Sequence, residues 1–261
     1  MAPPPTFARF LSAVMPGDLI ISCMAGVSRY FDNIGHRPAV IEWAGEGPPG
    51  SHPSWVEPAA KLRDPVTKEL LPRLFGMFRA GSPTRVAVFG FSAGSNSGIR
   101  ELLRNPNDRA RISFAACVDG LHPVKNWNDS GVADFNLQVA PFANYALSAS
   151  KGTGTIVFTG NNLESPTPTT YRTPQTMQLI NRYVVEQLGG PDAVASHPTD
   201  MTRIRSFLAD GEPTPNGVGG IGNAYFFEYP GTQKEDHITQ ANVIVPRIIE
   251  RFLTPVWGGV P

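Results

Sequence analysis

Three residue types that together perform acyl transfer stand far apart in this chain: a serine, a histidine and a carboxylate. Ser92 is the centre of GFSAG (90–94), directly after the apolar run RVAVF and before the helix-like SGIRELLRN. A serine hydroxyl is a weak nucleophile until a base takes its proton and a third group holds that base. Placed between a strand and a helix, G-x-S-x-G forms an elbow that lifts the serine above the sheet edge in a strained backbone conformation. Small flanking residues are needed because strand and helix pass too close for Cβ atoms, and Gly98 extends that approach into the helix. Serine and glycine are also ordinary turn residues. The strand before the motif and the helix after it raise it above composition.

The chain has five histidines. His36, His52 and His197 lie in loops and read as exposed loop histidines. His237 follows the final strand-like run, NAYFFEYP, by a short loop and opens the closing helix. In an α/β sheet that loop ends at the carboxyl edge, where Ser92 also emerges. His237 is therefore the expected base. Asp119 is the expected acid, because it ends the strand after the nucleophile's strand and is fixed by the scaffold. Glu164, just after the following strand in TGNNLESP, is the alternative acid. The bland roles are a turn-capping aspartate and a solvated loop glutamate. Asp236 is disfavoured, since neighbouring side chains point apart. His122, three residues after Asp119, would share a loop with the acid and reads as a rim residue rather than a base.

A developing oxyanion needs backbone donors. The N–H of Ala93 is one by position. The second is expected in CMAGVSRYF, from Gly26 or Val27, where the same small residues could equally form a simple strand-ending turn. Phe91, His122 and Trp127 are expected on the substrate rim.

The elements that must position these groups alternate between apolar runs and helical patterns, which predicts an α/β fold around a mostly parallel sheet. Six strands are expected, in DLIISCMAG, PAVIEW, RVAVFG, RISFAACVD, TIVFTG and NAYFFEYP. The stretch 55–81 reads as two helical pieces, interrupted at Pro65 and Pro72. Thr173 followed by Pro174 reads as a helix start, with Thr173 as the cap. The chain is read as a single domain over 1–261, with loop-rich insertions near 120–134 and 189–222, the second holding one small helix candidate, DMTRIRSFLADG (200–211).

Lys+Arg and Asp+Glu are equal at 22 each, so no basic surface suits nucleic acid or an anionic membrane. MAPPPTFARFLSAVMPGDLIIS lacks the basic start and long apolar core of a signal peptide, and no stretch is long enough to span a membrane. A cytoplasmic location is expected ahead of a secreted one. Cys23 and Cys117 sit in apolar strand-like runs and read as buried thiols, with a single disulfide as the lesser alternative. No Cys/His spacing suggests a metal.

With Ser92, then Asp119 or Glu164, then His237 in chain order, the pattern resembles the α/β-hydrolase superfamily from about residue 18 to 253. It departs from that family's pattern in having Met24-Ala25-Gly26 where His-Gly is familiar. The resemblance implies a three-layer α/β/α sandwich with a mostly parallel sheet of about six strands. It also implies ester hydrolysis through an acyl-enzyme, on a small-molecule or polymeric ester, with no cofactor. An amidase, peptidase or deacetylase on the same scaffold is a competing reading. A non-catalytic ligand-binding protein is another. A nucleotide-binding sheet is disfavoured, because 90–98 contains neither G-x-G-x-x-G nor a P-loop lysine.

Overall fold

The computed structural model describes residues 8–10, 17–24, 27–31, 38–47, 53–77, 83–123, 138–162 and 172–257. Runs rich in Val, Ile, Phe and Tyr form its strands: β1 (Ala8–Phe10), β2 (Asp18–Cys23), β3 (Ala39–Trp43), β4 (Arg85–Phe91), β5 (Ile112–Val118), β6 (Thr155–Asn161), β7 (Gly217–Ile221) and β8 (Ala224–Tyr229). They make one sheet in the order β1-β3-β2-β4-β5-β6-β8-β7. The six expected strands are the six that run parallel, from β3 to β8. The sheet has eight strands rather than six, because antiparallel β1 and β7 are added at its two edges.

Parallel strands covered on both faces read as continuous apolar runs, and here side chains alternate between two cores. Val86 and Val88 of β4 face one core with Trp43, Leu74, Phe142, Met177 and Ile180. Ala87 and Phe89 face the other, with Phe207, Ile244, Ile248 and Phe252. Helices Val56–Leu62, Leu71–Met77, Ala140–Ser150 and Thr173–Leu188 belong to the first layer, and Met201–Leu208 and the C-terminal helix to the second. The architecture is thus a three-layer α/β/α sandwich.

β5 contains one irregularity. Val86 pairs with Ile112, but Ala87 pairs with Phe114, so Ser113 is an extra residue in the ladder. Such a bulge switches which residues face which side. Ile112 and then Ala115 and Cys117 face the first core, while Phe114, Ala116 and Val118 face the second.

One local expectation is corrected and another is extended. Helix Thr173–Leu188 is capped by Arg172, whose N–H donates to Gln175 Oε1 at 3.0 Å. Thr173 lies inside the helix, and its Oγ1 accepts from Leu121 N–H at 3.2 Å, so tertiary packing takes the hydroxyl that would otherwise cap. Within 189–222 the helix read in DMTRIRSFLADG is present as Met201–Leu208, and helix Pro191–Val194 and strand β7 are added to it. Repeated glycines in GVGGI conceal the strand, which is paired along its length to β8.

Candidate active site

Ser92 follows β4 immediately and has φ +54, a left-handed conformation rare for a residue with a Cβ. Its N–H donates to Val118 O (3.0 Å), and its carbonyl accepts from Ser95 N–H (3.0 Å) and Asn96 N–H (3.1 Å). These bonds hold the strained residue from both sides. The turn continues into a wide π-type helical segment, Gly94–Ile99, and then α-helix Arg100–Arg104. The glycines of the elbow are required by packing. A Cβ on Gly94 would lie 1.9 Å from Cys23 O, and one on Gly90 would lie 2.7 Å from Gly94 C. On Gly98 it would lie 2.5 Å from Cys23 Sγ. Ser95 Oγ closes the turn by donating to Gly90 O at 2.5 Å and accepting from Val118 N–H at 3.0 Å.

One strand over, Asp119 follows β5 and also has positive φ, +41. Phe91 and Val118 are paired, so Ser92 and Asp119 leave the sheet at the same height. Asp119 N–H donates to Thr159 O (2.8 Å), and Asp119 Oδ1 accepts from Asn161 N–H (3.0 Å). Its other oxygen, Oδ2, lies 2.8 Å from His237 Nδ1. The carboxyl is 1% exposed and the imidazole side chain 16%. A carboxylate can only accept, so Nδ1 is assigned as the donor, which leaves the lone pair on Nε2. No hydrogen bond joins Ser92 Oγ to the imidazole among the described residues.

His237 lies in the first turns of helix Lys234–Thr239, which continues through two π-type turns to Val256. Asp236 is turned away: its Oδ2 accepts from Gln233 N–H at 2.8 Å and caps the helix. The ring of Phe91 lies against the imidazole, with centroids 4.4 Å apart and planes inclined by 31°.

Ala93 N–H stands where a helix begins, with no carbonyl one turn earlier to accept it. Val27 opens the 3-10 helix Val27–Phe31 and its side chain is fully buried. Met24 N–H is tied back to Ser22 Oγ at 3.2 Å. Tyr30 OH donates to Ala241 O at 3.1 Å, linking this segment to the helix that carries His237.

The other sequence candidates separate clearly. His122 is half-buried in the segment after Asp119, where Leu121 O accepts from Thr176 Oγ1 at 3.0 Å. His197 O accepts Gly222 N–H at the β7–β8 turn, toward the opposite end of the sheet. Gly26, Glu164, Trp127, His36 and His52 lie outside the described residues. Among the described residues no group of three His, Cys, Asp or Glu could hold a metal ion. No described helix is long and apolar enough to cross a membrane. Asn161 was missed by the sequence reading, since a backbone N–H that orients a carboxylate leaves no side-chain signature.

The architecture is consistent with the α/β-hydrolase fold. No protein-family model matches the chain, and no curated protein does. Solved structures resemble it at low identity. LpqC, a poly(3-hydroxybutyrate) depolymerase from Bordetella parapertussis, is 12% identical with a TM-score of 0.44, over 93% of this chain and 82% of that one. S-formylglutathione hydrolase FrmB from Staphylococcus aureus is 12% identical with a TM-score of 0.43, over 91% and 81%. Proline iminopeptidase from Mycobacterium smegmatis is 13% identical with a TM-score of 0.41, over 95% and 94%. Likenesses at this distance carry no information about substrate or activity.

Proposed function

We propose that this protein is a serine hydrolase that cleaves carboxylic esters, with Ser92 as nucleophile, His237 as base and Asp119 as acid. The observation that carries the reading is the 2.8 Å contact between His237 Nδ1 and an almost fully buried Asp119, whose strand end lies beside that of a serine held at φ +54. A structural turn has no need of a strained serine next to the strand end of a buried carboxylate that holds the Nδ1 of a histidine.

In the proposed reaction His237 Nε2 takes the Ser92 proton as Oγ attacks the ester carbonyl. Asp119 fixes the imidazole's tautomer and favours the imidazolium that forms. Backbone N–H groups, with Ala93 first, receive the oxyanion. The imidazolium then returns the proton to the leaving alcohol, and water, activated by the same histidine, releases the acid. Ester is preferred to amide because an alkoxide needs less help to leave than an amine. Phe91, His122 and the 120–134 segment would border the substrate.

Labelling with a fluorophosphonate followed by mass mapping tests the assignment. Modification of Ser92, lost in H237A, is expected, as is p-nitrophenyl butyrate turnover that disappears in S92A. Equal turnover by wild type and S92A would overturn the reading.

A further inference from the structure

Phe91, read as a rim residue, also lies with its ring against the imidazole of His237. We propose that Phe91 is a positioning residue whose aromatic face fixes the plane of the His237 ring. The inference rests on the reading of His237 as the base, and it assigns the variable position of the G-x-S-x-G elbow a role in orienting that base.

The argument begins with what already restrains the imidazole. The bond from Nδ1 to Asp119 Oδ2 fixes one edge of the ring, and the chain fixes Cβ. Rotation that tips the ring plane about the axis joining these anchors changes where Nε2 points while bending the hydrogen bond only modestly. Terminal sp³–sp² torsions of this kind are broad, so the rotamer alone does not choose the plane. A flat surface against one face does. Centroids at 4.4 Å and an inclination of 31° describe a tilted pair close enough for the Phe91 ring to limit how far the imidazole plane can turn.

The fold dictates that Phe91 supplies this surface. It is the last residue of β4, and alternation puts it on the same side as Phe89 and Ala87, against the layer that contains the C-terminal helix. Phe91 itself packs against that core, as does Met24 at the end of β2. The ring is therefore held from behind by the core and presents its other surface to His237. A single strand end thus delivers the nucleophile and, one residue earlier, the plate on which the base rests. An aliphatic side chain of similar volume fills the space but offers no plane.

The test uses F91L, F91A and F91Y in the full chain, with p-nitrophenyl butyrate kinetics and proton NMR of His237. F91L and F91A are expected to lose about ten- to a hundred-fold in kcat with KM changed less than about three-fold, the scale of a misplaced catalytic group. F91Y is expected to recover most of kcat. In wild type the carbon-bound ring protons of His237, assigned by their loss in H237A, are expected upfield of ordinary histidines. In F91L they move downfield, and the Nδ1–H signal broadens through faster exchange. Thermal melts identify any variant that fails to fold, and F91L keeps the volume that F91A removes.

Full kcat in a folded F91L overturns the proposal, as do His237 resonances that do not move in F91L. The NMR arm reads the ring contact whether or not the protein turns over esters. If S92A matches wild-type turnover, the hydrolase reading fails, and an unbroadened Nδ1–H in F91L would separately overturn the positioning role.

Discussion

Gly120 and Ser92 touch backbone to backbone: a Cβ on Gly120 would stand 2.0 Å from the Ser92 carbonyl oxygen and 2.6 Å from its carbonyl carbon. The turn that carries the candidate nucleophile and the turn that carries the candidate acid are consequently one packed unit. Neither can move by the width of a methyl group without displacing the other.

G120A should show this directly. The atoms it would strike are backbone and cannot swing aside, so a loss of roughly 2–3 kcal/mol or more is expected, with Tm lowered by about 5 °C or more. G76A is the matched control, since a Cβ there meets nothing within 4 Å. It lies in helix Leu71–Met77, where alanine is favoured over glycine by about 0.5–1 kcal/mol. Thermal denaturation of the two variants side by side should give shifts of opposite sign.

Replacing the candidate acid should separate orientation from binding. D119N keeps the shape but leaves the imidazole with the wrong tautomer, and about a 10³- to 10⁴-fold fall in kcat is expected. E164Q should stay within about two-fold of wild type. Steady-state kinetics on p-nitrophenyl butyrate decide between them, and equal small losses would reject Asp119.

The two cysteines should be silent in the folded protein. Cys23 pairs with Gly90, which pairs with Cys117, so a whole strand separates them. Two interstrand spacings come to about 9–10 Å, beyond the roughly 7 Å that a disulfide can bridge. Burial also raises both thiol pKa values. Neither should react with Ellman's reagent under native conditions, and both should react in guanidinium chloride.

Asp108 offers a stability test remote from the site. Its carboxyl is buried and accepts the N–H groups of Leu70 (2.7 Å) and Leu71 (2.9 Å), where helix Leu71–Met77 begins. D108N keeps one acceptor oxygen and turns an NH₂ toward the other donor. A loss of about 1–3 kcal/mol in urea denaturation is expected, with kcat unchanged in the folded fraction.

The parallel strands were legible because each is buried on both faces and reads as an unbroken apolar run, VAVF and IVF among them. β1 was not, since three residues carry no period, and neither was β7, whose glycines carry no side-chain pattern. The strand–turn–helix context of Ser92 was likewise written in local residue types. His237 was singled out by its place after the last strand, which depends on topology rather than on neighbours. Asp119 was preferred to Glu164 only because it stands nearer its strand end, since both follow strand-like runs and chain order alone does not separate them. The contact of Phe91 with the imidazole lay deeper still. It requires knowing that residue 91 faces the C-terminal helix, and nothing about a phenylalanine in a glycine turn says so.

The bulge at Ser113 acts as a spacer for the chemistry. By adding one residue below Phe114, it sets the level at which β5 leaves the sheet, and so brings Asp119 alongside Ser92. Paired regularly from Val86–Ile112 onward, the strand would carry Asp119 about 3.3 Å farther, one residue past Ser92, and each side chain beyond that point would face the opposite layer. An irregularity near the amino end of a strand thus fixes the alignment of two groups at its carboxyl end, about five residues away.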